Sequence, residues 1–177
     1  MMGRRLCRVA VMLLIGVAGS VAPQAQAART SEPDVDSVLL ELSTTGMVDS
    51  ARPKTNESWE QLVRGKGMVK KEGIWELKTS NGTLWAFASF RPAETEYWFV
   101  LFPPESLAVP DSVLSHLLSR STFSEVQGDL LEIGLPTTAQ RESGQQGDVN
   151  KSITIALGGG RLVSSRTTIH WKEANSR

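Results

Sequence analysis

The two histidines, His116 and His170, are the side chains of this sequence best suited to move protons near neutral pH. A serine triad needs a histidine, but the chain has no Gly-x-Ser-x-Gly motif and, after residue 27, no Ser-x-x-Lys motif. His116 faces away from the apolar stripe of a predicted helix and His170 lies on the polar side of a predicted strand, so we expect both at the surface. Neither has the His-Glu-x-x-His spacing of a zinc site. The sequence therefore predicts no catalytic residue, no metal and no cofactor.

Two pairs of carboxylates offer a different chemistry. Glu94 and Glu96 precede a strongly apolar segment, and Glu72 and Glu76 bracket a predicted strand. A glycoside hydrolase needs two carboxylates across a cleft, and the sequence does not place these residues across one. A carboxylate-based hydrolase of cell-wall glycans is therefore kept as an alternative function.

Residues 64–71 form a basic segment between two tryptophans. The segment lacks the Gly-x-x-x-x-Gly-Lys-Ser/Thr pattern of a phosphate-binding loop. It could dock an acidic protein surface or an anionic envelope polymer, although short charge clusters are also common on solvated surfaces. The binding residues that we predict are the cations of this segment, three charged residues of segment 91–96 and one tryptophan: Arg64, Lys66, Lys70, Lys71, Arg91, Glu94, Glu96 and Trp59.

The first 27 residues have the three parts of a cleavable export signal. Arg4, Arg5 and Arg8 supply positive charge, residues 9–22 are apolar, and Ala25-Gln26-Ala27 is a small-x-small cleavage motif. The apolar stretch is shorter than the roughly 20 residues of a membrane-spanning helix. We therefore expect a signal peptide over residues 1–27 and a periplasmic or secreted protein without a membrane span.

Cleavage would remove the only cysteine, Cys7, and three arginines. The remaining 150 residues (177 minus 27) would carry 16 basic and 19 acidic side chains, a net charge of −3. This balance argues against a nucleic-acid partner. A chain of this length without disulfides can be held together by its core, which fits a bacterial periplasm better than an animal extracellular space.

Apolar patterns predict an α+β fold. We expect a leader and connector over residues 28–57 and one domain over residues 58–177. That domain would be a mostly antiparallel sheet of about five or six strands, built from hairpins, with one main helix packed on one face. The main helix is predicted over residues 111–120, and shorter helices are predicted from about residue 36 and over residues 58–64.

Residues 74–79 and 83–90 predict a β-hairpin around Asn81-Gly82. A two-residue turn would pair Leu77 with Ala86. We favour a three-residue loop that pairs Leu77 with Trp85, because it gathers four large apolar side chains on one face.

The remaining segments also have apolar or polar patterns that predict their structure. The apolar run 97–102 predicts a central strand covered on both sides, and residues 123–135 predict one further strand. Residues 136–150 predict a long polar loop. A terminal hairpin should pair Ile155 with Val163, and Trp59 and Trp171 are expected to be the exposed tryptophans.

Export and the absence of catalytic motifs favour a non-enzymatic binding protein. It would recognise another envelope protein, as an inhibitor, an immunity protein or an accessory subunit, through polar loops at residues 65–71, 91–96 and 137–150. A third possibility is a small-molecule or lipid-binding domain with its ligand between the sheet and the helix at residues 111–120.

N-terminal sequencing of protein recovered from the cell envelope tests the export signal. Because cleavage is expected after Ala27, the first residue should be Ala28. Recovery of the chain from the cytosol with Met1 or Met2 at its N-terminus contradicts this expectation.

Overall fold

The computed structural model describes residues 33–105, 107–137 and 146–173. The predicted signal peptide and Cys7 lie outside these ranges. The described residues form three helices and nine strands in an α+β arrangement. The elements are α1 Val35–Met47, α2 Asn56–Gly65, β1 Val69–Lys71, β2 Ile74–Thr79, β3 Gly82–Arg91, β4 Glu94–Phe102, β5 Leu107–Ala108, α3 Asp111–Arg120, β6 Phe123–Gln127, β7 Leu130–Leu135, β8 Gln146–Ala156 and β9 Arg161–Lys172.

The strands form one antiparallel sheet in the order β1-β2-β3-β4-β9-β8-β7-β6, and the short β5 also pairs with β9. The prediction of five or six strands was therefore wrong. Residues 123–135 are not one strand but the hairpin β6–β7, in which Gly128 adopts a φ of 63° that suits a tight turn. Residues 138–145 of the predicted polar loop 136–150 lie outside the described ranges, and residues 146–150 belong to the strand β8 rather than to a loop.

Two N-terminal helices cover the main core. Asp34 caps α1 by accepting a hydrogen bond from the Ser37 N–H at 3.1 Å. A reciprocal pair of hydrogen bonds between Thr55 and Ser58 forms a capping box at the start of α2. The buried residues of the two helices pack against one face of the sheet, and together they form the main core: Val35, Val38, Leu42, Trp59, Val63, Met68, Trp75, Leu77, Leu84, Ala86, Ala88, Tyr97, Phe99, Ile169 and Trp171.

Helix α3 has the predicted bounds but not the predicted role. None of its residues is buried. Leu114 and Leu117 are half-buried against a second, smaller cluster formed by Leu131, Ile133 and Ile155. The prediction that this is the one main helix was therefore wrong. An apolar stripe indicates that a helix packs against something, but it does not indicate the size of the core that the helix covers.

Buried polar groups fix the end of α1 and the connector to α2 onto the sheet. The Tyr97 hydroxyl donates a hydrogen bond to the Pro53 carbonyl, and the Trp171 indole N–H donates to the Gly46 carbonyl. The Arg52 guanidinium lies 4.4 Å from the Trp171 ring centroid. Burial raises the pKa of the Tyr97 phenol, which keeps this donor protonated. The expected exposure of Trp171 was wrong, because it is 5% exposed.

The first hairpin has neither of the predicted registers. Trp75 lies opposite Ala86, and Leu77 lies opposite Leu84. Gly82 belongs to the strand rather than to the turn, with a φ of 141° and a backbone so close to Phe102 that an added Cβ would lie 2.7 Å from the Phe102 carbonyl oxygen. A shift of one residue in strand register turns every side chain of a strand to the other face of the sheet. In the observed register, Trp85 and Phe87 therefore point away from the main core.

Two other strand predictions are corrected. The apolar strand β4 is central as predicted, but Trp98 is 40% exposed, so the strand is not covered on both sides. Ile155 lies opposite Leu162 instead of Val163, because the ladder has a bulge beside Ile155.

Replacing Tyr97 with Phe tests the anchoring of the connector. The Y97F variant keeps the ring but leaves the buried Pro53 carbonyl without its donor, so we expect the free energy of unfolding to fall by about 1–2 kcal/mol in urea denaturation. The matched control is S119A, which removes an exposed hydroxyl that donates to the His116 carbonyl and should change stability by less than about 0.5 kcal/mol. Equal stability of Y97F and the parent protein contradicts the anchoring role.

Candidate functional site

The face of the sheet opposite α1 and α2 has no helix over it in the described ranges. We call this face, on strands β1–β4 and β9, the open face. It includes many of the alternate residues that do not point into the main core, among them Val69, Lys71, Ile74, Glu76, Trp85, Phe87, Glu96, Trp98, Val100, Arg166, Thr168 and His170.

Three aromatic side chains, Trp85, Phe87 and Trp98, lie at the centre of the open face, and we call them the aromatic cluster. Phe87 is the direct cross-strand partner of Trp98, and Trp85 lies two residues along β3 on the same face. Their exposed fractions are 38%, 43% and 40% respectively. Adjacent exposed aromatics of this size are typical of interaction sites on folded proteins.

A carboxylate fixes one side of the aromatic cluster. The Trp85 indole N–H donates to Glu76 at 3.1 Å, and the same carboxylate pairs with the Lys71 ammonium. The hydrogen bond from Lys71, followed by that from Trp85, holds the pKa of Glu76 below its usual value. These residues, with Glu72 and Ile74, line an open groove of about 440 Å³ at the β1–β2 end of the sheet.

An arginine lies on the other side of the aromatic cluster. The Arg166 guanidinium is 6.0 Å from the Trp98 ring centroid and forms an ion pair with Glu132. Glu132 also accepts a hydrogen bond from the Ser152 hydroxyl at 2.7 Å. Ion pairs within the chain therefore lie on two sides of the aromatic cluster.

The predicted basic segment is not a free positive patch. Each of its cations has an acidic partner: Arg64 and Lys70 pair with Glu60, Lys66 with Glu41 and Lys71 with Glu76. The hydrogen bond from Lys70 is the main reason why the pKa of Glu60 is lowered. Arg64 and Lys70 also lie 5.4 and 5.7 Å from the Trp75 ring centroid, on the outside of the main core.

Segment 91–96 does bring charged residues together. Glu94 lies 3.5 Å from Arg91 and 2.9 Å from the His170 imidazole. Glu96 is the cross-strand neighbour of His170 on the open face, and Asp148 follows on the next strand. No group of three or more potential ligands in the described part of the chain is arranged to hold a metal ion.

The remaining predicted residues divide between surface and core. His116 is exposed, as expected. Trp59, which was expected to be exposed, is only 4% exposed and packs against Tyr97 and Phe99 with ring centroids 5.5 and 6.3 Å away. Trp59 therefore supports the core beneath the sheet.

Comparison with known proteins gives no further guide, because no protein family, curated protein or solved structure matches the chain. None of the helices within the described ranges is long and apolar enough to cross a bilayer.

Iodide quenching of tryptophan fluorescence tests which tryptophans face solvent. Trp85 and Trp98 are 38% and 40% exposed, whereas the three other tryptophans are 3–5% exposed. The double variant W85F/W98F should therefore lose most of the emission that iodide quenches. The control W75F should retain it. Unchanged quenching in W85F/W98F would contradict the outward orientation of Trp85 and Trp98.

Proposed function

We propose that this chain is an exported, non-enzymatic binding protein that recognises another protein of the cell envelope through its open face. The observation that carries the proposal is the aromatic cluster of Trp85, Phe87 and Trp98, which lies outside the core although each side chain is large and apolar. Export rests on the predicted signal peptide. Inhibitor, immunity protein and accessory subunit are the roles that this kind of recognition fits.

The composition of the open face supports a protein partner. Protein interfaces combine a centre rich in aromatic residues and arginine with a polar rim that excludes water. Here Arg166 adjoins the aromatic cluster, and the pairs Lys71–Glu76 and Arg166–Glu132 lie at its sides. Because these four charges already have partners, a protein could cover them without leaving any of the four unpaired.

The state of the carboxylates argues against glycan hydrolysis. A general acid in a glycosidase needs a raised pKa, but the pKa of Glu76 is lowered by the hydrogen bonds from Lys71 and Trp85. Glu94 is engaged by Arg91 and His170. Glu76 therefore serves better as a fixed negative charge than as a proton donor.

The packing of α3 argues against a ligand beneath that helix. Leu114 and Leu117 contact the cluster of Leu131, Ile133 and Ile155, so apolar side chains lie where helix and sheet meet. A small molecule or lipid would have to displace them.

Affinity capture with matched variants tests the proposal. The exported protein, immobilised and exposed to envelope extract, should retain one protein in stoichiometric amount. The variants F87S and W98S should each weaken that binding by about tenfold or more, because central aromatic residues dominate interface energies.

The control is L40S, which makes the same kind of change at a 67% exposed position on α1. Its binding should equal that of the parent protein. The proposal fails if L40S weakens binding as much as F87S, or if no protein is retained and the sample cleaves a cell-wall glycan.

A further inference from the structure

The two outer strands of the sheet differ in how well they are protected against pairing with another chain. β1 has only three residues, two of which are Lys70 and Lys71, and short, lysine-rich edges resist strand addition. At the other edge, β6 has five residues, Phe123–Gln127, without proline or lysine. No strand within the described ranges pairs with the outer side of β6, so its outer backbone groups form a template for another strand.

The surroundings of β6 are apolar and thinly covered. No residue of β6 is buried, and Phe123 and Val126 are 46% and 59% exposed. On the neighbouring helix α3, Val113 and Leu118 are 45% and 39% exposed. An additional strand beside β6 could bury apolar surface here.

A carboxylate determines which kind of strand fits. Glu125 lies directly opposite Glu132 of β7, so both side chains are on the same face of the sheet. Glu132 is engaged by Arg166, whereas the hydrogen bond to Glu125 comes from the neutral Gln127 amide at 3.0 Å. A strand that adds to β6 should therefore carry a positive charge opposite Glu125.

The same residue disfavours a second copy of this chain as the occupant. If two β6 strands paired antiparallel around their centres, Glu125 would face Glu125 of the other copy, and like charges directly opposite one another are destabilising. A different polypeptide with a lysine or arginine at that position avoids this repulsion.

We propose that β6 accepts an extended segment of another polypeptide, with a lysine or arginine opposite Glu125 and an apolar residue opposite Val126. This surface lies at the opposite edge of the sheet from the groove beside the aromatic cluster, and the inference does not depend on the function proposed for the open face. It adds a second interaction surface whose affinity comes from backbone hydrogen bonds and whose selectivity comes from Glu125.

A synthetic peptide tests this inference. The probe has the central sequence Thr-Val-Lys-Thr-Val, which in antiparallel register places its lysine opposite Glu125 and its first valine opposite Val126. Binding to the exported protein is measured by fluorescence anisotropy, and backbone amide NMR signals report where it binds. The lysine peptide should bind at β6 about three- to tenfold more tightly than the same peptide with glutamate at its centre.

Two variants test the charge. E125K should reverse the preference, so that the glutamate peptide binds more tightly than the lysine peptide. The control E173K makes the same charge change at an exposed residue just after β9 and should leave the preference unchanged.

Two N-methylated peptides test the backbone pairing. Since only alternate amides of an added strand point toward β6, methylation of one alternate set should abolish binding and methylation of the other should not. Equal binding of both methylated peptides, no binding of the lysine peptide, or a dimer of the parent protein that β6 variants dissolve would each overturn the inference.

Discussion

The burial of Tyr97 and Phe99 beneath α1 and α2 is the interaction on which the rest of the structure depends. Both side chains have no exposed surface, and the Tyr97 hydroxyl also holds the α1–α2 connector at Pro53. Alternate residues of a strand point to opposite faces of the sheet. Since Tyr97 and Phe99 point into the core, Trp98 between them points outward. The apolar run in β4 therefore supplies both the core and the exposed surface of the same sheet.

The helices and the strand order show how far local sequence signals reach. The bounds of α3 were predicted correctly, because helical periodicity involves residues that lie close together in the chain. The size of the sheet was not predictable in this way. Gly128 forms the turn of a separate hairpin, which adds a strand to the sheet. The strand β8 begins at Gln146, which pairs with Lys172 of β9.

The candidate site was missed for a related reason. Large and small apolar residues alternate from Trp85 to Ala88, and this pattern fits a strand with either set facing inward. Packing decides the choice, because Ala86 and Ala88 lie in the same core cluster as Trp59. Arg91 and Glu94 of segment 91–96 meet His170, and the sequence did not show this contact because it depends on the pairing of β4 with β9. The cations of the basic segment pair with Glu41, Glu60 and Glu76, and of these only Glu41 lies far away in the chain.

Site-specific photocrosslinking in living cells tests the central claim most directly, namely that the face opposite the helices is the recognition surface. A photoreactive amino acid is placed at position 87 on β3, at the centre of the open face, and in a separate protein at position 57, an exposed residue of α2. Our account predicts that position 87 forms a covalent adduct with one envelope protein and that position 57 does not. An adduct from position 57 together with none from position 87 would contradict it.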